Sequence, residues 1–76
     1  MIIKVKTIAN QNFSIDIDED LVIQRLKEEI ELFSGIIAVQ QRLIFAGKPL
    51  NNDTIIKNNN IKNNDVVYMI LALRSG

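Results

Sequence analysis

The chain has 76 residues, of which 47% are hydrophobic and 24% charged, so we expect one folded globular domain and not a disordered segment. Nine basic and nine acidic residues give a formal net charge of zero, which argues against nucleic acid or an anionic membrane as the main partner, because both attract basic surfaces. The chain lacks cysteine, so no disulfide stabilises it and a reducing compartment is the simpler expectation. No apolar stretch reaches the roughly 18 residues of a membrane-spanning helix.

The first predicted elements are two strands. Residues 1–7 alternate between apolar side chains such as Ile3 and lysines such as Lys4, and residues 13–18 alternate again. The connection between them is short and contains Asn10, a residue type that tolerates a positive φ. We therefore predict an antiparallel hairpin with one apolar face.

One amphipathic helix follows the hairpin. Its apolar positions recur at helical spacing, at Ile23, Leu26, Ile30 and Phe33. Lys27 falls outside this apolar stripe, and Gly35 suits the left-handed residue that ends a helix. The start is open, because Asp20 is a good cap for a helix that begins one residue later. A helix that begins at Ile23 has Val22 as its cap, which is a poor choice.

The remaining elements alternate strands with turns. Residues 40–45 predict a strand, residues 46–47 a turn, and residues 48–50 a very short edge strand that tolerates its proline. Residues 51–64 are rich in asparagine, which favours turns, but three isoleucines anchor them, so we predict a loop with one helical turn. Residues 66–73 predict the last strand.

Together these elements predict an α+β fold in two layers, a mixed sheet of four to five strands packed on one α-helix. We expect the first and last strands side by side at the centre, and the face away from the helix open to solvent. The last strand nevertheless has apolar residues on both faces. The apolar residues predicted on the open face, with the cations beside them, are Ile8, Ile44, Ile70, Tyr68, Arg42 and Lys48. Scattered surface apolar residues and a protein-binding patch both fit this pattern.

Residues that carry most enzyme chemistry are missing from the chain. It has no histidine and no cysteine, so thiol and imidazole catalysis are excluded. Asp16, Asp18 and Asp20 have the spacing that begins a calcium-binding loop. However, Leu21 stands where such a loop requires glycine, and Lys27 stands at its closing glutamate. We therefore expect no enzyme, no metal site and no cofactor, and we interpret the aspartates as a solvated strand edge.

The block QQRLIFAGK at residues 40–48 resembles a segment of ubiquitin almost residue for residue. The resemblance runs through the whole chain without a gap, to the final Gly76. It implies the ubiquitin-like β-grasp fold, with residues 1–72 as the domain and residues 73–76 as a flexible conjugation tail.

Within this family the chain looks most like the neddylation modifiers, the Rub family that is conjugated to cullins. The run IKVK at residues 3–6 and, above all, Ala72 match them, whereas Phe45 and Ala46 look like ubiquitin. Ubiquitin has an arginine at position 72, and the resemblance implies that activating enzymes distinguish the two modifiers by that side chain. A divergent ubiquitin that tags proteins for degradation and a ubiquitin-like binding module that is never conjugated are the alternatives.

The resemblance implies that the chain is a tag and not a catalyst. An activating enzyme would use ATP to adenylate the carboxylate of Gly76, which the tail residues Leu73, Arg74 and Ser75 carry into the active site. The chain would pass as a thioester to a conjugating enzyme and end as an isopeptide on lysines, chiefly of cullins, to regulate cullin-RING ubiquitin ligases. Processing and deconjugating proteases are further implied partners. We expect a monomer in the cytoplasm and nucleus that itself binds no cofactor.

The resemblance also gives the predicted open face a role. Its exposed isoleucines match the surface through which the family is recognised. We name as the recognition patch Ile8, Ile44, Ile70, Tyr68, Arg42 and Lys48. The lysines that match possible acceptors of a further modifier are Lys48, Lys6 and Lys27.

Three departures from the family pattern affect these expectations. Ser75 replaces a glycine and loses the freedom that glycine has at positive φ, which puts normal processing and conjugation in question. Asn59 replaces a tyrosine that holds the loop, so we expect residues 51–64 to be looser than in the family. Tyr68 replaces a histidine within the recognition patch.

Overall fold

Five strands, one α-helix and two short 3₁₀ helices appear in a computed structural model, which describes residues 1–72. The strands and the α-helix, in chain order, are β1 (Ile2–Thr7), β2 (Asn12–Asp16), α1 (Ile23–Ser34), β3 (Gln41–Phe45), β4 (Lys48–Pro49) and β5 (Val66–Leu71). The 3₁₀ helices are Ala38–Gln40 and Ile56–Asn59. Every predicted element is present, although Gln40 belongs to a 3₁₀ helix and not to β3. No helix within the described residues is long and apolar enough to cross a membrane.

The strands form one mixed sheet in the order β2-β1-β5-β3-β4. β1 and β5 pair in parallel at its centre, and the other three pairs are antiparallel. This topology confirms the predicted α+β architecture, with the first and last strands side by side and one helix against the sheet. Asn10 has the predicted positive φ, at 65°, and the β3–β4 turn has φ values of 53° at Ala46 and 78° at Gly47. Both turns thus use the left-handed region.

The helix covers one face of the sheet and encloses the core. Ile23, Leu26 and Ile30 of α1 are fully buried, as predicted, and so are alternate strand residues such as Val5 and Leu43. Because strand side chains alternate in direction, the core residues of β1, β3 and β5 alternate with residues that face away from the helix.

Two predictions about the helix surface were wrong. Lys27 is only 8% exposed, because it lies four residues after Ile23 on the buried side and a lysine can bury its aliphatic stem. Phe33 is 57% exposed, because its ring packs sideways against Phe13 of the edge strand β2, with ring centroids 6.0 Å apart, and does not enter the core.

The start of α1 is capped by backbone groups of a distant loop. The helix begins at Ile23 with Val22 as its cap, and Val22 makes no side-chain capping bond. Instead, the N–H of Ile23 donates to the carbonyl of Thr54 at 2.9 Å, and the N–H of Gln24 donates to the carbonyl of Asn52 at 3.1 Å. These carbonyls bond two of the helix donors that otherwise lack intrahelical partners.

The opposite end of α1 stops as the sequence predicts. Gly35 has φ 77°, in the left-handed region, and its N–H donates to the carbonyl of Glu31 at 2.8 Å. A side chain at this φ would be strained, which explains why glycine suits the position.

The asparagine-rich segment is held by internal hydrogen bonds and by buried isoleucines. The side-chain amide of Asn59 donates to Thr54 Oγ1 at 3.1 Å and to the carbonyl of Ile55 at 2.9 Å. Ile56 and Ile61 are buried, so the isoleucines anchor the loop as predicted. Asn59 therefore supplies hydrogen bonds that hold this segment in place of the tyrosine expected from the resemblance.

Candidate functional site

Strand register brings the central residues of the recognition patch together on the open face of the sheet. Ile44 of β3 lies directly opposite Tyr68 of β5, and Arg42 lies opposite Ile70. On the other side of β5, Tyr68 lies beside Lys6 of β1. Directly opposed residues on one face of a sheet are in side-chain contact range, so these five side chains form one continuous surface.

The exposure of these residues fits an accessible apolar surface. Ile44 and Ile70 are half-buried, Tyr68 is 52% exposed and Ile8, in the β1–β2 turn, is 77% exposed. Val66 is also exposed. The predicted recognition patch did not include it, although it lies on the same face of β5 as Tyr68 and Ile70. The open face is therefore apolar along its centre, since the single helix covers only the other side.

Cations border the apolar centre of the open face. Arg42 and Lys48 are exposed, and Lys4 and Lys6 project from β1. None of these four takes part in an ion pair within the described part of the chain. The free positive charges can therefore attract an acidic partner to the apolar centre.

The last described residue, Ala72, is held next to the start of β3. Its N–H donates to the carbonyl of Gln40 at 2.7 Å, and its side chain is half-buried. This bond continues the β3–β5 pairing by one residue. The predicted conjugation residues Leu73, Arg74, Ser75 and Gly76 lie outside the described residues.

The three predicted acceptor lysines differ in accessibility. Lys6 and Lys48 are exposed, so their amines are open to reaction, whereas Lys27 is buried. Burial lowers the pKa of Lys27, and the nearby charge of Arg42 lowers it further. Lys27 is thus the least accessible of the three amines, and the role of all three as acceptors stays a prediction.

The aspartates whose spacing resembles a calcium loop have other partners. Asp18 accepts the N–H of Asp20 at 2.9 Å, and Asp20 pairs with the amine of Lys57 at 2.7 Å. The hydrogen bond that the Lys57 amine donates to Asp20 raises the pKa of Lys57, and the negative charge of Asp20 adds to the effect. Asp16 lies 3.4 Å from the N-terminal amine. Within residues 1–72, no three His, Cys, Asp or Glu residues are grouped to hold a metal.

A second exposed apolar region, on the helix side, was not predicted. Its members lie at the end of α1 and in the segment that follows, and they are Leu32, Phe33, Ile37 and Val39. Helical spacing puts Leu32 on the side of α1 opposite the core, so a signal for its exposure was present in the sequence.

Comparison with known proteins places the chain among small protein modifiers. The chain is 45% identical over 76 residues to the ubiquitin-like protein NEDD8 of Dictyostelium discoideum, covering all of this chain and 99% of the relative. It is 41% identical over 76 residues to the NEDD8-like protein RUB3 of Arabidopsis thaliana, covering all of this chain and 97% of that relative. These matches confirm the resemblance to the neddylation modifiers and support a ubiquitin-like modifier as the class of protein.

Another similar protein has a different organisation. The UV excision repair protein RAD23 homolog B of Bos taurus is 45% identical over 74 residues, which cover 92% of this chain but only 18% of the relative. The same fold thus also occurs as a small part of a longer protein. The sequence pattern of the ubiquitin family matches residues 3–74, nearly the whole chain, and the chain belongs to the ubiquitin family.

Proposed function

We propose that this chain is a neddylation-type modifier that is activated at Gly76 and joined by an isopeptide bond to lysines of target proteins, chiefly cullins. The observation that carries the proposal is the match with NEDD8-like proteins, which covers all of this chain and 97–99% of those relatives. Ala72 supports it, because the small side chain stands where the resemblance implies a choice between activating enzymes. The chain has neither histidine nor cysteine, which fits a substrate of these enzymes and not an enzyme.

The proposed chemistry activates and transfers the acyl group of Gly76 in four steps. Its carboxylate attacks the α-phosphate of ATP, which gives an acyl adenylate and releases pyrophosphate. A cysteine thiolate of the activating enzyme displaces AMP, and the thioester is exchanged onto a cysteine of the conjugating enzyme. The amine of a target lysine then displaces that thiol and forms the isopeptide bond. Every catalytic group belongs to the partners, and a processing or deconjugating protease hydrolyses the bonds at Gly76.

A reconstituted reaction tests this proposal. The 76-residue chain is mixed with ATP and neddylation activating and conjugating enzymes, and products are separated with and without a thiol reductant. We expect a reductant-sensitive thioester on each enzyme, and then a reductant-resistant product on a cullin. Omitting ATP is the control. A cognate enzyme pair that forms no thioester would contradict the proposal.

The role of Ala72 is tested by a single exchange of side chain. Ala72→Arg should lower the rate of thioester formation with the neddylation activating enzyme and raise it with the ubiquitin activating enzyme, because a buried arginine requires a polar partner that alanine does not. Ala72→Ser, which remains small, serves as the matched control. If the unchanged chain reacts faster with the ubiquitin enzyme, a divergent ubiquitin is the better assignment.

A second function, a binding module that is never conjugated, is supported by the match to a segment of a longer repair protein. In this case the recognition patch would carry the function alone, and Ser75 would prevent processing. The two proposals differ in cells. Conjugation predicts cullin peptides with a lysine-linked remnant that ends in Ser-Gly, in the cytoplasm and nucleus, whereas a binding module predicts no remnant and no effect of blocking the C-terminus.

A further inference from the structure

A polar pocket of about 330 Å³ lies where the helix, β3 and the loop after β4 meet. Lys27 of α1 and Arg42 of β3 line it, together with Asn51 and Asn52. Ala72, at the end of the described chain, forms another part of its wall. The volume is within the range of pockets that receive a ligand group, about 300–1,000 Å³.

The charges that line this pocket are unbalanced. Lys27 and Arg42 are both positive, and no aspartate or glutamate of the described residues lines the pocket. Neither cation takes part in an ion pair within residues 1–72, although Lys27 is only 8% exposed. The stem of Lys27 accounts for most of this burial, and its amine is not among the fully buried unpartnered polar atoms of the described residues. Even partial withdrawal of a cation from water without an anionic partner is costly. The lowered pKa of Lys27, caused by burial and by Arg42, reflects this cost.

The remaining walls indicate what kind of anion fits. Val39, Pro49 and Leu50 are apolar and line the same pocket, and Val39 is among the most exposed apolar residues of the described chain. A bare inorganic anion makes no use of apolar walls, whereas a protein segment with an acidic side chain beside an apolar one uses both parts of the pocket.

We propose that this pocket receives the carboxylate of an aspartate or glutamate side chain of a partner protein, which enters between Lys27 and Arg42. The amides of Asn51 and Asn52 are additional donors for the carboxylate, and the apolar walls contact its neighbouring residue. The pocket includes Arg42 of the recognition patch, but Lys27 belongs to the helix layer, so the acidic residue is bound at the edge of that patch. This inference does not depend on conjugation of the chain.

The direct test is a titration of the ¹⁵N-labelled chain, followed by backbone amide chemical shifts, at constant ionic strength. The probe is the acetylated and amidated tripeptide Leu-Glu-Leu, and the matched control is Leu-Gln-Leu. We expect the Glu peptide to shift the amides of Lys27, Arg42 and Asn52 with a millimolar dissociation constant. The Gln peptide should bind at least about fivefold more weakly, the factor expected for losing one ion pair of about 1 kcal/mol.

Two variants locate the site, and one controls for net charge. Arg42→Gln removes an exposed cation of the pocket and should weaken binding of the Glu peptide by about fivefold. Asn52→Asp places a carboxylate of the chain itself in the pocket, so it should weaken binding at least as much and raise the pKa of the Lys27 amine. Lys62→Gln changes the net charge equally, but Lys62 is exposed and lies outside both the pocket and the open face, and the change should leave binding unchanged.

Several outcomes would overturn the proposal. Equal binding of the Glu and Gln peptides would mean that no carboxylate is recognised. Equal loss of binding in Arg42→Gln and Lys62→Gln would indicate attraction by overall charge only. Shifts of the same amides by inorganic phosphate, at the same concentrations as the Glu peptide, would assign the pocket to oxyanions in general. Melting curves check that each variant remains folded, and both pocket variants alter exposed side chains.

Discussion

The two faces of the sheet have similar side chains but different roles. On β3, Leu43 is 1% exposed and its neighbour Ile44 is half-buried, and on β5 the same holds for Met69 and Ile70. Neighbouring residues differ because successive strand side chains point to opposite faces and one helix can cover only one of them. Hydrophobicity therefore does not distinguish a core residue from an open-face residue here, whereas the number of layers that cover each face does.

Polar residues on the two faces also differ in burial and in the partners that they bind. On the covered face, Gln41 is buried and donates to the carbonyls of Lys27 and Ile36, each at 2.9 Å. On the open face, its neighbour Arg42 is exposed and makes no ion pair within the described residues. A polar group on the covered face thus serves the fold, while one on the open face stays available to a partner.

The largest expected effect comes from shortening a covered apolar side chain. Leu43→Ala should lower the free energy of unfolding by about 2–5 kcal/mol, because it leaves a cavity in a fully buried site. The measurement is urea denaturation followed by circular dichroism.

Ile44→Ala is the matched substitution on the open face. It should cost at most about 1–1.5 kcal/mol, because the half-buried side chain already contacts solvent and leaves no closed cavity. Equal losses in the two variants would mean that both faces stabilise the fold alike, which would contradict the comparison.

The next largest effect concerns the buried polar group. Gln41→Ala removes both hydrogen bonds of the side-chain amide and leaves the two carbonyls without those partners, so it should cost about 1–3 kcal/mol. Gln40→Ala is the control, because its side chain is exposed and the change should stay within about 0.5 kcal/mol. A loss for Gln41→Ala no larger than for Gln40→Ala would show that these bonds contribute nothing to the covered face.

A smaller effect is expected from Lys27, the charged residue on the covered side. Its pKa is lowered in the folded state from the ordinary value of 10.5, so the amine of Lys27 binds its proton more tightly in the unfolded chain than in the folded one. The lysine therefore reduces the free energy of unfolding at pH 7, and the reduction disappears as the pH rises through the lowered pKa toward 10.5. Lys27→Met should leave the stability at pH 7 unchanged or raise it by about 1 kcal/mol.

Urea denaturation at pH 7 and at pH 10 checks this prediction, with Lys62→Met as the control, since Lys62 is exposed. Relative to the unchanged chain, the free energy of unfolding of Lys27→Met should be lower at pH 10 than at pH 7. The Lys62→Met control should show no such change. A loss of several kcal/mol at pH 7 would mean that the charge of Lys27 has a stabilising partner.

Strand alternation and helical periodicity predicted most of the fold, because both depend on local spacing. Ile3, Leu26 and Leu43 are in the core, as their spacing predicted. The central pairing of β1 with β5 was expected because the first and the last strand in the sequence are both strongly apolar. The recognition patch was predicted for the same reason, since the alternation that buries Leu43 exposes Ile44.

The features that sequence did not predict depend on contacts between distant segments. The burial of Lys27 requires the sheet beneath it, and its pocket requires Asn52 from a loop that spacing alone cannot position. Asn59 was expected to leave the loop loose, yet its amide reaches Thr54 and Ile55. Position on the helix surface alone did not distinguish the buried Lys27 from the exposed Phe33, because the extent of the sheet decides which helix residues are covered.

The smallest expected effect is at the start of α1, where sequence indicated a weak cap. A threonine at an N-cap usually stabilises a helix by about 1 kcal/mol, because its oxygen accepts an N–H of the first turn. Here Ile23 and Gln24 donate to the carbonyls of Thr54 and Asn52, and Arg25 donates to the carbonyl of Val22. The new oxygen would find these donors already bonded. Val22→Thr should therefore change the free energy of unfolding by less than about 0.5 kcal/mol.

Val22→Ala is the reference for this measurement, because it removes the branched side chain without adding a hydroxyl. Val22 is half-buried and forms a β-bridge with Ile55, so both variants lose part of the same packing. The difference between Thr and Ala at this position then measures the capping contribution. A difference of about 1 kcal/mol in favour of threonine would show that the carbonyls of the loop leave the helix donors unsatisfied, and that the asparagine-rich segment does not cap the helix.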